Sequence, residues 1–377
     1  MVLEDPEGID AWEAMKLRMP PLSPEDQARV DALLDRARQP LSPGDARRHH
    51  FIPQFFQRRF ATEEDQLLVV PIVGGLRRLT HVTNIAVMSD LYTSVDVDVG
   101  ETVAVETLLA EVDGLAAGVL PRLSWGFPFP PTELDRGNLA MWLALLHVRD
   151  PHTRRTMEAM TEHLLKLDLS LAANPDVARD RIRANLDREP TDEEVEEAVH
   201  AATHLDEFEI GPHQNDLIKL MLDSALAMVP HLAQRLYLVM RFPEPSLLFC
   251  DRPLVLFQRS ENQQPGRGLG IIDADEILLP IDRSTVLILH NDPDIGERIL
   301  GAPPGYTVES LNQIIVSNAA AEVYCHPDDE HRLQSLEFPE PGRPLLRATV
   351  GSWFTASIDG VNAPPRRRRH RRWRSDS

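Results

Sequence analysis

Two adjacent histidines, His49 and His50, open the run HHFIPQFFQRRF, with Pro53 three residues after His50. Proline suits the first position of a helix. The positive end of a helix disfavours a further proton, so imidazoles just ahead of one stay neutral, the form that ligates a metal or acts as general base. The plainer use is one ring donating to a carbonyl while the other packs among aromatics. Arg149 ends the apolar run MWLALLHVR on the face of Trp142, Leu145 and Leu146, and a guanidinium turned toward a core must be paired. Glu106, Glu111 and Asp251 are the carboxylates at hand. Paired, Arg149 is structural; facing a cleft, it clamps an anion or phosphate. Asp251 splits LLFC from LVLF, and Pro253 breaks the strand ladder beside it. A carboxylate there caps a turn or lines a cleft. His49, His50, Arg149 and Asp251 are therefore the candidate catalytic set of a metal- or histidine-dependent hydrolase acting on a phosphate-containing or nucleic-acid substrate. That chemistry requires all four in one pocket.

Other patterns carry less. Glu106 and Glu111 lie five apart, about 500° around a helix, so they share a face only loosely. His200 and His204 have the i, i+4 spacing of zinc ligands, but Ala201 stands where the metalloprotease signature has glutamate, and the surrounding helix is acidic. Two histidines ahead of a proline also begin HNH-type nucleases. Asn84 is available for that motif, but its partner histidine is missing. The GRGLG run, Gly266 to Gly270, lacks the Lys-Ser/Thr of a phosphate loop. No cofactor is evident; a divalent metal is the one group the histidine pair could hold.

The tail PPRRRRHRRWRSDS is the strongest compositional feature. Arg366, Arg367, Arg368, Arg369, Arg371, Arg372 and Arg374 surround Trp373, and with one aspartate they contribute +6 to a net charge of −20. The rest of the chain is correspondingly acidic and repels nucleic acid and anionic membrane at long range. The tail cannot build a core and is expected to be disordered alone. It suits nucleic acid, an acidic protein partner or the chain's own acidic body. Only two cysteines, Cys250 and Cys325, no expected secretory signal and no apolar run of the ~18 residues a spanning helix needs point to the cytoplasm.

The elements that must position these groups can be read from pattern and punctuation. At 377 residues, 42% hydrophobic and 26% charged, the chain can bury a sizeable core. Ser23 with Pro24 starts one N-terminal helix, and Pro53 opens another carrying Phe56 and Phe60. DQLLVVPIVGGLRRLTHV reads as a hairpin turning at Gly74 and Gly75, followed by NIAVMSDLYT as a connection. Helical periodicity runs from Glu101 to Leu123 and from Leu134 to Arg149, then through everything from Thr153 to Arg241. That stretch includes a capping box at Thr191 and Glu194 and an amphipathic run from Asn215 to Met240, with Pro230 as a break point. After Pro245 come short strands (LLFC, PLVLF, EILLPI, STVLIL), a helix from Val308 to Tyr324, and the strand-like RATVGSWFTASI. Segregated helices and strands predict an α+β fold: a mostly helical N-terminal and middle part with a β-hairpin, then a β-rich C-terminal part packed against helices. The expected divisions are an N-terminal helical extension over 1–48, a domain over 49–360 with a sub-boundary near 245, and the tail over 361–377.

The segments HHFIPQFFQRRF, NIAVMSDLY, VETLLAEVDGLAAGVL, LALLHVRDPHTRR, LLFCDRPLVLF, ILLPIDRSTVLIL and LNQIIVSNAAAEVY, in this order, resemble the domain of unknown function 4238 family. The resemblance runs from about His49 to Tyr324. It implies that His49, His50, Pro53, Asn84, Tyr92, Glu106, Glu111, Arg149, Pro151, Asp251, Pro253 and Asn312 occupy characteristic positions; of these, Asn84, Glu106, Glu111 and Asn312 are expected to form a structural polar network. Cys250 departs from a position where the family often has a hydroxyl residue, and Asn174 to His213 looks like local elaboration. The resemblance implies a fold and no activity. The reading that results is an interaction or binding protein of unknown partner, with the hydrolase and nucleic-acid binding through the tail as alternatives.

Overall fold

The computed structural model describes residues 48–96, 100–102, 104–125, 128–186, 188–207, 210–259, 269–301, 307–339, 349–350 and 354–355, together with residue 32. The predicted helix at Ser23, the GRGLG run but for its end, and the arginine tail lie outside the described residues. The chain divides into two compact units, one formed by Met1–Asp45 with Tyr92–Ala110, the other by Ala46–Leu91 with Glu111–Ser377. In the first, strands β5 (Ser94–Asp96) and β6 (Gly100–Thr102) form an antiparallel hairpin, with the Ser94 and Thr102 hydroxyls 2.8 Å apart.

The second unit carries His49, His50, Asn84, Glu111, Arg149, Asp251 and Asn312. Strand β1 (Arg48–His50) pairs antiparallel with β4 (Val87–Ser89), and Pro53 precedes the single turn α1 (Gln54–Gln57). The predicted hairpin forms as β2 (Gln66–Pro71) and β3 (Arg78–His81). Its turn uses φ of +50° at Gly74 and +117° at Gly75, backbone that a side chain disfavours. Helices come next: α2 (Ala104–Trp125), α3 (Glu133–Val148), α4 (Pro151–Ser170), α5 (Pro175–Leu186), α6 (Asp192–Thr203) and α7 (Gln214–Ala233), with α3 packed along α7. Thr132 caps α3, Asp150 caps α4, and Thr191 with Glu194 closes the expected capping box on α6.

Two sheets build the C-terminal half. One has the order β12-β7-β11-β10-β9 from Arg298–Gly301, Leu236–Arg241, Thr285–His290, Glu276–Asp282 and Val255–Phe257. Only the β12–β7 pair is parallel. The other joins the hairpin to the late strands as β3-β2-β13-β8, with β13 at Glu322–Cys325 and β8 at Phe249–Cys250. Leu68, Leu238, Met240, Val286 and Val323 from both sheets enclose a core with Leu311, Ile315 and Val316 of α8 (Val308–Asn318). A short strand pair, β14 (Thr349–Val350) and β15 (Phe354–Thr355), falls within the predicted RATVGSWFTASI segment. The fold is α+β, with helices in the middle and a β-rich C-terminal part against α8. Among the described residues no helix is long and apolar enough to cross a membrane.

Two helix expectations need correction. The run Asn215 to Met240 is not one helix: it continues through Pro230 to Ala233, and Leu236–Arg241 is instead β7. Its apolar residues serve a strand buried between two neighbours, where both faces are covered and periodicity cannot tell strand from helix. The helix from Val308 ends at Asn318, and Tyr324 lies in β13. Asn318 turns its amide to the carbonyl of Arg252 at 2.6 Å, and Ala320 and Ala321 give their N–H groups to Asp251. These bonds draw the chain out of the helix.

Asn312 fixes α8 to the segment before β8. Its Oδ1 accepts from the N–H of Leu248 at 3.2 Å, and its Nδ2 donates to the carbonyl of Ser246 at 3.0 Å, with the side chain buried. Asn312→Ala strands both groups and should cost about 2–6 kcal/mol, since each buried unpaired polar group costs about 1–3. Urea unfolding monitored by circular dichroism should show a lower midpoint at unchanged slope.

Candidate functional site

Alternation along β1 sends the two histidines to different surroundings. His49 pairs with Met88 and is buried; His50 pairs with Val87 and is half-buried. The His50 Nε2 lies 3.3 Å from the carbonyl of Val82, and its Nδ1 lies 3.5 Å from the amide of Gln54. A proton on Nε2 and a lone pair on Nδ1 satisfy both contacts, the second of them long. Burial lowers the pKa of both rings; Asp90 partly offsets this for His49 and the Val82 carbonyl for His50. Gln57 donates to the carbonyls of Ile52 at 2.7 Å and Ile85 at 3.3 Å, holding the histidine strand to its neighbour. Asn84 accepts from Arg48 at 3.1 Å.

Arg149 stands at the end of α3 as its C-cap and is 2% exposed. Its two terminal nitrogens reach Asp113 of α2, Nη1 to Oδ2 at 3.2 Å and Nη2 to Oδ1 at 2.9 Å. The indole N–H of Trp142 donates to the same Oδ1 at 3.1 Å. Thus the carboxylate that takes Arg149 is Asp113, which sequence reasoning passed over in favour of its neighbours. The signal was present: Asp113 stands at the edge of the buried stripe of Val112, Ala116 and Leu120 on α2, where a carboxylate can reach a partner turned toward the core. Glu106 and Glu111 stand on the same helix, both half-buried.

Asp251 lies just past β8 and is buried. Its Oδ1 accepts the N–H of Ala320 at 2.8 Å and its Oδ2 that of Ala321 at 2.7 Å, while its own N–H donates to Glu322 at 3.0 Å. Burial raises its pKa to about 7, helped by the charge of Asp150 and opposed by those N–H groups and Arg252. Asp150 is also buried. It caps α4 by accepting from the N–H groups of His152 and Thr153 and from the Thr153 hydroxyl, and it pairs with Arg252 Nε at 3.3 Å. His147 and His152 flank this pair. Burial, reinforced by Arg252, lowers each to about 4. The Cys250 thiol, fully buried, is pushed far up by desolvation and donates to the Arg252 carbonyl at 3.1 Å.

The four residues of the sequence-derived set meet different partners. His49 and His50 face Asp90, Arg48, Gln54 and Val82; Arg149 faces Asp113 and Trp142; Asp251 faces Asp150, Arg252 and the Ala320–Ala321 backbone. His147, Asp150, His152 and Arg252 form an ionisable cluster beside Asp251, and sequence reasoning did not weigh them. The two stretches that meet there, HVRDPH and CDRP, each place a charged residue beside a proline. Among the described residues no three His, Cys, Asp or Glu side chains are grouped as metal ligands would be. The spaced pair His200 and His204 stack ring on ring at 4.2 Å on an exposed face, with His204 Nδ1 bonded to the carbonyl of His200.

The family described as protein of unknown function, DUF4238, matches residues 48–329. The chain belongs to that family. Its DUF4238 span begins with the histidine strand β1 and takes in Arg149, Asp251 and Asn312, leaving out the first 47 residues and the arginine tail. No curated protein and no solved structure matches the chain.

Breaking the Arg149 pair should be costly because the guanidinium is desolvated. Arg149→Ala is expected to lose about 3 kcal/mol in urea unfolding, at the low end for a buried pair because Asp113 keeps some contact with water. Asp113→Leu with Arg149→Met should regain part of that loss. The histidines set the acid response. With folded pKa values near 4 against 6.5 unfolded, the stability that neutral His147 and His152 contribute is complete above pH 6.5 and lost as pH falls toward 4. Asp251 acts oppositely, its penalty growing as pH rises from 3.8 to about 7. Two histidines outweigh one aspartate, so unfolding midpoints should fall between pH 6.5 and 4, and His152→Gln should remove roughly half of the histidine contribution.

Proposed function

We propose that this DUF4238 protein is a non-catalytic interaction protein that engages a macromolecular partner through its helical middle. One observation carries the reading. Helix α4 presents Met160, Leu164, Leu167 and, at its C-cap, Leu171 with 56%, 59%, 54% and 55% of their surface exposed, and its only buried residue is His152. Contiguous apolar surface of this kind marks a site of association rather than an ordinary solvated face.

The polar residues support the same reading by what already occupies them. Both oxygens of Asp251 hold backbone N–H groups, and Arg149 is chelated by Asp113. A hydrolase built on His50, Arg149 and Asp251 needs those groups free to meet a common substrate. Each instead joins two segments of chain.

The purified full chain, offered phosphomonoesters, phosphodiesters and single- and double-stranded nucleic acid with magnesium, manganese or zinc, should turn over none of them. Turnover that disappears in a folded His50→Ala variant would sink the reading in favour of the hydrolase.

A further inference from the structure

We propose that the apolar face of α4 is filled by the same face of a second copy of this chain, the two helices running parallel. The proposal rests on the interaction reading above and names its partner. Met157, Met160, Leu164, Leu167 and Leu171 succeed one another at intervals of three, four, three and four residues. That is the seam of a heptad repeat, whose side chains interlock with a facing helix of like pattern. The first of the five is half-buried and the other four are more than half exposed. At 20 residues α4 is about 30 Å long, enough for the seam to make consecutive layers.

The flanks of the seam choose both partner and direction. On one side stands Asp168; on the other stand His163 and, farther round, Lys166. In a parallel pair each helix sets one flank against the opposite flank of its partner, so Asp168 of one copy meets His163 of the other. In an antiparallel pair like flanks face each other, and Asp168 would lie toward its own counterpart. Asp168 already pairs with Arg181 of α5 at 2.7 Å, and Lys166 with Glu162 at 2.8 Å. Even so, Asp168 is 61% and Lys166 35% exposed, so solvent still reaches both. A two-fold axis along the seam brings each residue level with itself, and the surface is then self-complementary.

Sedimentation and light scattering of the full chain at about 1–100 μM, a range that spans a micromolar Kd, should show a mass twice that of the 42.5 kDa chain. Leu164→Glu and Leu164→Lys should each be monomeric with unchanged circular dichroism, and mixing the two should restore the dimer, because Leu164 faces Leu164 in the parallel pair. Cys250 and Cys325 are buried, so a cysteine introduced on α4 is the reactive one. Met160→Cys and Leu171→Cys should each link to themselves under mild air oxidation. Three results overturn the proposal: a monomeric native chain, a dimer that survives both charge substitutions, or cross-linking only between the two different cysteine variants. A monomeric native chain would leave the face to a different protein and the interaction reading intact. That reading fails separately, on turnover that depends on His50.

Discussion

Two neighbouring aspartates, each buried and each occupied by backbone N–H groups, hold the helical and β-rich halves of the second unit to one another. Asp150 closes the first turn of α4, Asp251 closes the passage from α8 into β13, and Arg252 lies between them on the strand side. Buried carboxylates this close repel, and the rise of the Asp251 pKa toward neutrality reflects that repulsion together with desolvation. The arrangement persists because four backbone N–H groups and a guanidinium compensate it. Removing any one donor would leave charge in a water-poor place, where it is expensive. The same low-dielectric surroundings keep His147 and His152 neutral around neutral pH.

The histidine strand is positioned by different means. Phe55 and Phe56 of α1 pack on Trp142 of α3, and Phe56 and Phe60 pack on Phe249 of β8, which in turn meets Tyr324 of β13. Aromatic contacts thus run from the segment after His50 to both strands that flank Asp251. Trp142 joins this apolar chain to the polar one, since its ring packs with the phenylalanines while its N–H donates to Asp113 beside Arg149. That polar handle is how a large aromatic can be fully buried without stranding a donor. The histidine strand and the arginine therefore belong to one packed assembly.

How much of this was legible in the sequence depended on whether a feature was local. The hairpin at Gly74–Gly75, the capping box at Thr191 and the C-terminal limit of α3 before Pro151 are decided by residues a few positions apart, and the chain obeys them. Strand β7 was misread because its apolar residues are buried on both sides, so the period that separates helix from strand is erased; the end of α8 was misread because the hydrogen bonds of Asn318 and Asp251 that set it join residues distant in the chain. The need for a partner at Arg149 was readable from its place after an apolar helix. The partner's identity was not, because Asp113 lies 36 residues away and helix packing decides which of several carboxylates arrives. Asp150 and Arg252 were hidden for the same reason, being about 100 residues apart in the chain and 3.3 Å apart in space.

Helix α4 is tied most firmly at its first turn and keeps an apolar face outward along the rest. Its N-terminus is fixed by Asp150 and the buried His152, and the bond from Arg154 to the carbonyl of Leu91 adds a third anchor at 2.9 Å. Beyond that turn its side chains are at most half-buried, and pairs such as Glu162 with Lys166 and Asp168 with Arg181 of α5 add a few tenths of a kcal/mol each. Most helices in folded proteins draw their stability from an apolar face packed against the core. A helix that keeps its apolar face outward forgoes that contribution until something covers it. Covering it would order and stabilise the helix in the same step, so association through this face and the local stability of α4 must rise and fall together. The tied end then has a mechanical consequence: it fixes where the free face stands relative to the Asp150–Arg252 junction, so that whatever covers the face is registered against the core of the domain.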